Sequence, residues 1–202
     1  KYHGIKDLVL LVGYKHEQIV NYFENGERFG VKIRYIVDNP KYKGTGGALL
    51  NAHLKGAFDN VKTLLIYYGD ILSNINLTEM LKKHWKWNSS ATLAVATKYQ
   101  IPVGVVKTRG NKVVGMVEKP WLNIKATIGV LALNTNTLET LRKISEKTSE
   151  IDIMGNLIPE LIREGQPVYA YPHEGEWYDV GTTERYEKLD NNKIEEMFKQ
   201  II

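Results

Sequence analysis

The first part of the chain alternates between two hydrophobic periods. The apolar run "DLVLLV" (Asp7–Val12) predicts a buried strand. The next segment places Ile19, Val20 and Phe23 on one helical face, and "VKIRYIV" (Val31–Val37) alternates as a strand does. Strands and helices that alternate with short loops between them are typical of a parallel, doubly wound sheet.

The alternation continues through the next three elements. A helical pattern follows the stretch "NPKYKGTGG", and Thr63–Tyr68 is again strand-like. Asn76 then precedes a helix, with Glu79 three positions later, which is the arrangement of a capping box. We therefore predict an α/β fold built on a Rossmann-like, doubly wound mixed sheet whose strands are mostly parallel.

The middle of the chain changes character, because several strand patterns follow one another with few helical residues between them. The stretch "TRGNK" contains Gly110-Asn111, a signal for a hairpin turn. We therefore predict an antiparallel strand region inserted into the α/β core. The predicted strands are Thr92–Thr97, Val103–Thr108, Lys112–Lys119 and Ile128–Asn134.

The last part of the chain is again helical. Helices are predicted over Thr137–Lys147 and Ile153–Arg163, the second ending at Gly165, a favourable C-cap. "PVYAYP" and "EWYDVG" predict two late strands, and Thr182 or Thr183 is the N-cap of the helix after them. The tail, residues 193–202, carries an apolar stripe that we expect to pack on its own domain, with a homo-oligomer contact as the alternative. Its members are Ile194, Met197, Phe198, Ile201 and Ile202.

Composition limits the classes of function. The 202 residues fit one domain, and we predict a single domain over residues 1–202. There are 27 basic and 23 acidic residues, for a net charge of +4. Because the lysines are scattered rather than clustered, no nucleic-acid partner is predicted, and the weak positive charge suits an anionic small molecule.

The sequence contains no cysteine, which excludes a disulfide framework, cysteine-ligated zinc, Fe–S clusters and thiol catalysis. No apolar run approaches the roughly 18 residues of a membrane span, so no membrane association is predicted. The five histidines lie far apart and form no H-x-x-x-H pair. We expect a cytoplasmic protein.

In the stretch "LLIYYGDIL" (Leu64–Leu72) an apolar run ends in a carboxylate. In open α/β sheets, ligands bind beyond the carboxyl ends of the strands, and Asp70 lies at such an end. A carboxylate there suits Mg²⁺, which takes one or two carboxylates and completes its shell with water and substrate phosphates. The alternative is a simple turn at Gly69-Asp70, or a cap for the next helix.

The stretch "YKGTGGALLNA" places Gly44, Thr45, Gly46 and Gly47 before the start of a helix. Glycines let a ligand approach the backbone, and N–H groups at a helix N-terminus attract anions or base edges. The stretch matches neither the Walker pattern nor G-x-G-x-x-G. A tight loop between strand and helix is the alternative.

Two distant stretches, "VEKPW" and "EWYDVGTTERY", carry further charged side chains. Lys119, at a strand end, suits a phosphate as a point charge, and Glu118 suits hydroxyl groups. A surface pair before a proline-initiated loop is the alternative. Asp179 precedes Gly181, for which a capped turn is the default interpretation.

The order of these motifs makes them more specific together than alone. The succession "GIKDLVLLVGY", "FGVKIRYIVDNPKYKGTGGAL", "LLIYYGDIL", "VGVVKTRGNKVVGMVEKP" and "EWYDVGTTERY" resembles the sugar-nucleotidyltransferase family over nearly all of the chain. That family includes glucose-1-phosphate thymidylyl- and uridylyltransferases and mannose-1-phosphate guanylyltransferases. The resemblance implies a Mg²⁺-dependent enzyme that joins a sugar 1-phosphate to an NTP, giving an NDP-sugar and pyrophosphate.

The resemblance also implies roles for individual residues. Asp70 and Asp179 would converge on Mg²⁺ at the α-phosphate and act with Lys119 in catalysis. Lys119 would bind the sugar phosphate, next to Gly104 and Glu118 at the sugar. The nucleotide-binding residues would be Asp70 with Gly44, Thr45, Gly46 and Gly47.

Two departures from the family pattern stand out. Members usually open with a strand and a glycine-rich segment of the type G-x-G-T-R-L, followed by P-K-P, and neither is present here. We therefore expect a chain that lacks its first strand and glycine-rich loop and that alone catalyses far below a family-like rate, because charge stabilisation is missing. Thr127 stands where many relatives carry an asparagine that reaches sugar hydroxyls, so the sugar is left open.

Two rival functions stay open. A catalytically silent subunit that binds sugar nucleotides or partner subunits is favoured by the missing arginine and lysine, whereas retention of Asp70, Lys119 and Asp179 speaks against it. A metal-dependent glycosyltransferase also has a nucleotide-binding α/β core, but its typical D-x-D motif is absent from "GDILSN".

Overall fold

The computed structural model describes residues 1–199. The chain forms two compact units. The first comprises residues 1–65, 76–92 and 132–169, and the second comprises residues 66–75, 93–131 and the chain from Ala170 onward. The single domain predicted from the sequence stays a prediction.

Every strand and helix predicted above has a counterpart in the structure, although most boundaries shift. The helices are α1 His16–Phe23, α2 Gly44–Leu54, α3 Leu77–Lys86, α4 Leu138–Ser145, α5 Ile158–Arg163, α6 Thr183–Glu187 and α7 Asn191–Phe198. The strands are β1 Asp7–Val12, β2 Lys32–Val37, β3 Thr63–Tyr67, β4 Ile71–Ser73, β5 Ala91–Ala96, β6 Tyr99–Gln100, β7 Val105–Arg109, β8 Lys112–Val117, β9 Trp121–Leu122, β10 Ala126–Asn134, β11 Val168–His173 and β12 Trp177–Asp179. Short 3₁₀ turns cover Glu27–Phe29 and Thr135–Thr137, and a π-helical turn, Ile153–Leu157, precedes α5.

The helix ends follow the capping signals of the sequence. The Asn76 side chain accepts a hydrogen bond from the backbone N–H of Glu79 at 3.0 Å, as an N-cap does. The Glu79 carboxylate accepts instead from Lys82 Nζ at 2.7 Å, so the Asn76 bond is the half of the capping box that is seen among residues 1–199. Gly165 takes a positive φ of 71° after α5, and its N–H donates to Ile162 O at 3.0 Å, which confirms the predicted C-cap.

Strands β1 and β2 form a parallel pair whose register runs from Asp7↔Lys32 to Val12↔Val37. The sequence predicts a buried β1, but only Val12 is buried. The reason is that β1 has β2 as its single strand neighbour within residues 1–199, so the other edge of the strand stays partly open.

A four-stranded sheet with the order β11-β5-β10-β3 carries the longest apolar strand, β10. In the first unit, side chains from α2, α3, α4 and the π turn complete a fully buried core. Burial of this kind of aliphatic surface is the main stabilising term in folding. The core side chains of that unit include Leu50, Met80, Leu133, Leu138, Leu141, Leu157 and Leu161.

The second unit contains the antiparallel pairs. Strand β12 pairs with β4, β6 with β9, and β7 with β8. The β7–β8 hairpin closes at Arg109↔Lys112, as the Gly110-Asn111 signal predicts. Alternating helices and strands, a parallel pair and an antiparallel extension confirm the predicted α/β fold class.

The C-terminal helix α7 begins after Asp190, whose side chain accepts from the backbone N–H of Asn192 at 3.0 Å. Met197 is buried, and Ile194 and Phe198 are half-buried, so this part of the predicted stripe contacts the rest of the chain. Ile201 and Ile202 lie outside the described residues, and the homo-oligomer stays a prediction. Over residues 1–199, none of the helices has the length and apolarity needed to cross a membrane.

Candidate functional site

Asp70 lies in the exposed turn that joins β3 to β4. Gly129 of β10 holds this turn, since its carbonyl accepts the N–H of Tyr68 at 2.9 Å. A Cβ on Gly129 would lie 2.9 Å from Ile71 Cγ1 and 3.2 Å from Tyr68 Cβ, and its φ is +71°. A glycine is therefore required here, both for the close approach and for the backbone conformation. The sequence analysis did not single out Gly129.

Asp179 lies at the end of β12, next to this turn. The antiparallel register pairs Asp179 with Ile71, and the N–H of Val180 donates to Asp70 O at 2.8 Å. The two aspartates are far apart in sequence, yet the short β4–β12 ladder makes their backbones neighbours.

The two carboxylates also point at a common spot beside Gly181. A Cβ placed on Gly181 would lie 2.7 Å from Asp70 Oδ2 and 3.2 Å from Asp179 Oδ1. These two oxygens are therefore at most about 6 Å apart, which leaves room for one cation between them. The structure brings together the two side chains that the sequence analysis assigns to a metal.

Asp179 is held from two sides. Its Oδ1 accepts the N–H of Gly181 at 3.0 Å, and its Oδ2 accepts a hydrogen bond from Arg185 Nη1. The Gly181 N–H, and then the Arg185 guanidinium, hold the pKa of the Asp179 carboxyl below its usual value, so that it stays ionised. The carboxylate in turn raises the pKa of Arg185. Arg185 is a site residue that the sequence analysis missed.

The donor set fits a hard divalent cation. Both carboxylates are partly solvent-exposed, and Mg²⁺ is held by one or two carboxylates together with water and phosphate oxygens. Across residues 1–199, no group of three or more His, Cys, Asp or Glu side chains is arranged to hold a metal ion. A cation held by the two carboxylates at residues 70 and 179 would take its remaining ligands from water and substrate.

Gly104 and Glu118, predicted at the sugar, are also neighbours. A Cβ on Gly104 would lie 2.4 Å from Met116 Cε and 2.8 Å from Glu118 Oε2, so the absent side chain leaves space for both of these groups. Lys119 takes a positive φ of 46°, and its carbonyl accepts from Gln100 Nε2 at 3.0 Å. A non-glycine residue in this region costs on the order of 1 kcal/mol. Thr127 is exposed at the start of β10.

The glycine-rich stretch belongs to the first unit, and its geometry differs from the predicted loop. Helix α2 begins at Gly44, so all of Gly44–Gly47 is helical rather than preceding the helix. Gly46 and Gly47 are buried. A Cβ would lie 2.8 Å from Ile151 Cγ2 at the first and 2.6 Å from Tyr42 C at the second. Close packing against protein explains these two glycines.

Thr45 is likewise engaged within the protein. Its Oγ1 donates to Asp152 Oδ2 at 2.7 Å and accepts the N–H of Ile153 at 2.9 Å. This pair of bonds fastens the first turn of α2 to the π turn. Nucleotide binding by Thr45 stays a prediction, and its side chain has a structural role besides.

A cavity of about 560 Å³ opens beside Gly44. It is lined by residues 13–17, residues 37–40, Tyr42, Lys43 and Gly44, and this lining does not include Thr45, Gly46 or Gly47. Its volume is typical of small-molecule sites. The sequence analysis missed the contribution of residues 13–17, although Gly13 directly follows the apolar run of β1.

Comparison with known proteins shows which families and structures the chain resembles. The model of the family described as "Nucleotidyl transferase" matches residues 1–196. A UTP–glucose-1-phosphate uridylyltransferase from Synechocystis sp. is 31% identical over 201 residues, which is 91% of this chain and 50% of that protein. A D-glycero-alpha-D-manno-heptose 1-phosphate guanylyltransferase from Aneurinibacillus thermoaerophilus is 29% identical over 188 residues, covering 92% of this chain and 77% of that protein.

The fold comparison agrees with the sequence comparison. The crystal structure of HddC from Yersinia pseudotuberculosis superposes with a TM-score of 0.67 at 17% identity, covering 92% of this chain and 78% of that one. At this identity the likeness concerns the fold alone. The chain spans about half the length of the uridylyltransferase that it matches.

Proposed function

Because the chain belongs to the nucleotidyl transferase family, we propose that the protein joins a sugar 1-phosphate to a nucleoside triphosphate, giving an NDP-sugar and pyrophosphate. The observation that carries this proposal is the convergence of Asp70 and Asp179 beside Gly181. The names of the two relatives, a uridylyltransferase and a guanylyltransferase of sugar 1-phosphates, support the same reaction class.

In this reaction an oxygen of the sugar phosphate attacks the α-phosphorus of the NTP. The new P–O bond forms as the bond from the α-phosphorus to the oxygen bridging to the β-phosphorus breaks, and pyrophosphate carries away that electron pair. Such phosphoryl chemistry needs alignment of the two substrates and neutralisation of charge, with little covalent participation by the protein.

We propose that Asp70 and Asp179 hold a divalent cation, Mg²⁺ in the cell. When bound, Mg²⁺ neutralises charge on the phosphate oxygens and orients them. The Gly181 N–H keeps Asp179 ionised and oriented toward this position. The lack of a side chain on Gly181 leaves the space beside both carboxylates open.

On the sugar side, we propose that Lys119 binds the phosphate of the sugar 1-phosphate. Its strained backbone conformation, tied down by Gln100, supports a side chain placed for binding. Glu118, whose carboxylate lies against Gly104, would accept hydrogen bonds from sugar hydroxyls. Thr127 would offer one short hydroxyl to the sugar, and a panel of sugar 1-phosphates shows which sugar it suits.

On the nucleotide side, we propose that the cavity beside Gly44 receives the nucleoside. Gly44 has a positive φ of 77°, and the cavity lining adds the side chains of Lys43 and Tyr42. Thr45, Gly46 and Gly47 would then support the site by fixing the first turn of α2. The cytoplasmic location stays a prediction.

The test is a panel of NTPs and sugar 1-phosphates with Mg²⁺, scored by pyrophosphate release from the full-length protein. We expect one preferred pair, and a loss of at least about a hundredfold in kcat for Asp70→Asn and for Asp179→Asn. Calorimetry with NTP and Mg²⁺ is run in parallel. Binding of NTP without pyrophosphate release from any pair would instead indicate the silent sugar-nucleotide-binding subunit.

A further inference from the structure

The guanidinium of Arg185 forms an ion pair with Asp179, one of the two carboxylates that the proposed function assigns to a cation. Arg185 Nη1 donates to Asp179 Oδ2, while the Gly181 N–H takes Oδ1. Both oxygens of Asp179 therefore have a donor within the protein. Among residues 1–199, no hydrogen bond or ion pair is made to the Asp70 carboxylate. The two aspartates therefore differ in how many donors they already have.

The position of Arg185 is fixed by the same turn that fixes Asp179. Helix α6 begins after Thr182, whose Oγ1 accepts the N–H of Arg185 at 3.3 Å. Gly181, between Asp179 and this N-cap, donates back to the carboxylate. The N-cap thus fixes the backbone of Arg185, and its guanidinium reaches back to Asp179, six residues earlier in the chain.

The ion pair between Arg185 and Asp179 is weak enough for a bound cation to replace Arg185. The Arg185 side chain is 54% exposed and that of Asp179 is 38% exposed. Ion pairs with such exposure contribute little to stability, because water and salt screen them. A divalent cation that gains Asp70 as a second ligand can therefore compete for Asp179.

The charges favour such an exchange. Two carboxylates that share one spot repel each other, and Arg185 supplies a positive charge in direct contact with Asp179. A bound divalent cation takes over that neutralisation and repels the guanidinium from the same oxygen. The released fork of N–H donors suits phosphate oxygens, which arrive with the triphosphate.

Resting on the proposed function, we propose that Arg185 is a placeholder cation: it neutralises Asp179 in the metal-free protein, competes with the divalent cation for that carboxylate, and yields to it when a triphosphate offers the guanidinium a new partner. Cation binding alone is therefore weakened by Arg185, and binding of cation and triphosphate is coupled.

The experiment measures Mn²⁺ affinity by electron paramagnetic resonance, in the full-length protein without nucleotide. We expect Arg185→Ala to tighten Mn²⁺ binding by about five- to tenfold. Arg185→Gln, which keeps a polar side chain but loses the charge, is expected to do the same. Lys188→Ala is the matched control, because it removes one positive charge from the end of the same helix, where Lys188 pairs with Glu184 and not with Asp179. It should change the affinity less than twofold.

A simple orienting role for Arg185 predicts the opposite sign. If Arg185 only holds Asp179 in place, both Arg185 variants bind Mn²⁺ more weakly than the wild type. Unchanged or weaker binding in variants with wild-type circular dichroism and thermal melting overturns the placeholder.

The same measurement separates failure of this inference from failure of the proposed function. Asp179→Asn is expected to weaken Mn²⁺ binding strongly. If binding is present and depends on Asp179 but ignores Arg185, the placeholder alone is wrong. If neither the wild type nor Arg185→Ala binds Mn²⁺ through Asp179, the cation site and the placeholder are both wrong.

Discussion

Gly181→Ala is the sharpest probe of the carboxylate pair, since it adds one methyl group at the spot where Asp70 and Asp179 converge. The new Cβ would lie 2.7 Å from Asp70 Oδ2 and 3.2 Å from Asp179 Oδ1. Gly181 is not among the positive-φ glycines, so alanine adds no backbone strain there. The effect is therefore confined to the position of the carboxylates.

The size of the displacement follows from the contact distance. A carbon and an oxygen approach to about 3.3 Å without strain, so Asp70 Oδ2 must retreat by about 0.6 Å. Mg²⁺ demands near-octahedral geometry at about 2.0–2.1 Å, and a ligand moved by that much is largely lost. We expect cation affinity to fall about tenfold, or about 1.4 kcal/mol.

The assay is Mn²⁺ titration followed by paramagnetic resonance, with thermal melts to confirm folding. Gly69→Ala is the matched control: it lies next to Asp70, its Cβ would meet nothing within 4 Å, and it is not a positive-φ glycine either. Gly69→Ala should keep the wild-type affinity. If Gly181→Ala also stays within twofold of the wild type, the carboxylates do not hold the cation at this spot.

Three further predictions concern the phosphate, a buried histidine and the core. Lys119→Met removes the proposed phosphate charge, so pyrophosphate-release kinetics should show the KM for the sugar 1-phosphate raised about tenfold and the KM for NTP within twofold; equal effects on both would contradict the assignment. Burial lowers the pKa of His173, so the neutral form is favoured in the folded state and the free energy of unfolding falls as pH drops below the unfolded pKa of about 6.5, by at most about 1.4 kcal/mol per pH unit. Urea melts of His173→Gln should lose this contribution, and an unchanged slope would refute it. Leu50→Ala, at a fully buried position, should cost about 2–5 kcal/mol in urea melts, whereas Leu54→Ala, 53% exposed on the same helix, should cost less than about 0.5 kcal/mol; similar losses would contradict the core described above.

The secondary structure could be predicted because hydrophobic periods are local. The strand Asp7–Val12 was predicted with the correct bounds, but its burial was not, since an apolar run does not reveal how many strands lie beside it. The same limit applies at Thr182 and Thr183, both plausible caps in sequence. Only the backbone geometry shows that Thr182 accepts the hydrogen bond.

Glycines show the limit of motif reasoning most clearly. A sequence shows where a side chain is absent, but not what fills the space. At Gly46 and Gly47 the neighbours are Ile151 and Tyr42, so packing accounts for the residue type. At Gly181 the neighbours are the carboxylates of Asp70 and Asp179, which points to a site. The two cases are indistinguishable in the sequence.

The pairing of Asp70 with Asp179 came from the family resemblance and not from spacing. The ladder that joins them covers only three residues of β12, which is too short to leave a recognisable pattern. The partner of Arg185 was equally hidden, although an arginine three positions after an N-cap threonine was visible. Ion pairs and metal sites can join residues that are far apart in sequence, and such contacts leave no local sequence pattern.

The β4–β12 ladder has a consequence for how the protein is made. Asp70 is synthesised well before Trp177–Asp179. Until that later segment pairs with β4, Asp179 is not held next to Asp70. The proposed cation site would therefore be complete only once Trp177–Asp179 has been synthesised and has paired with β4.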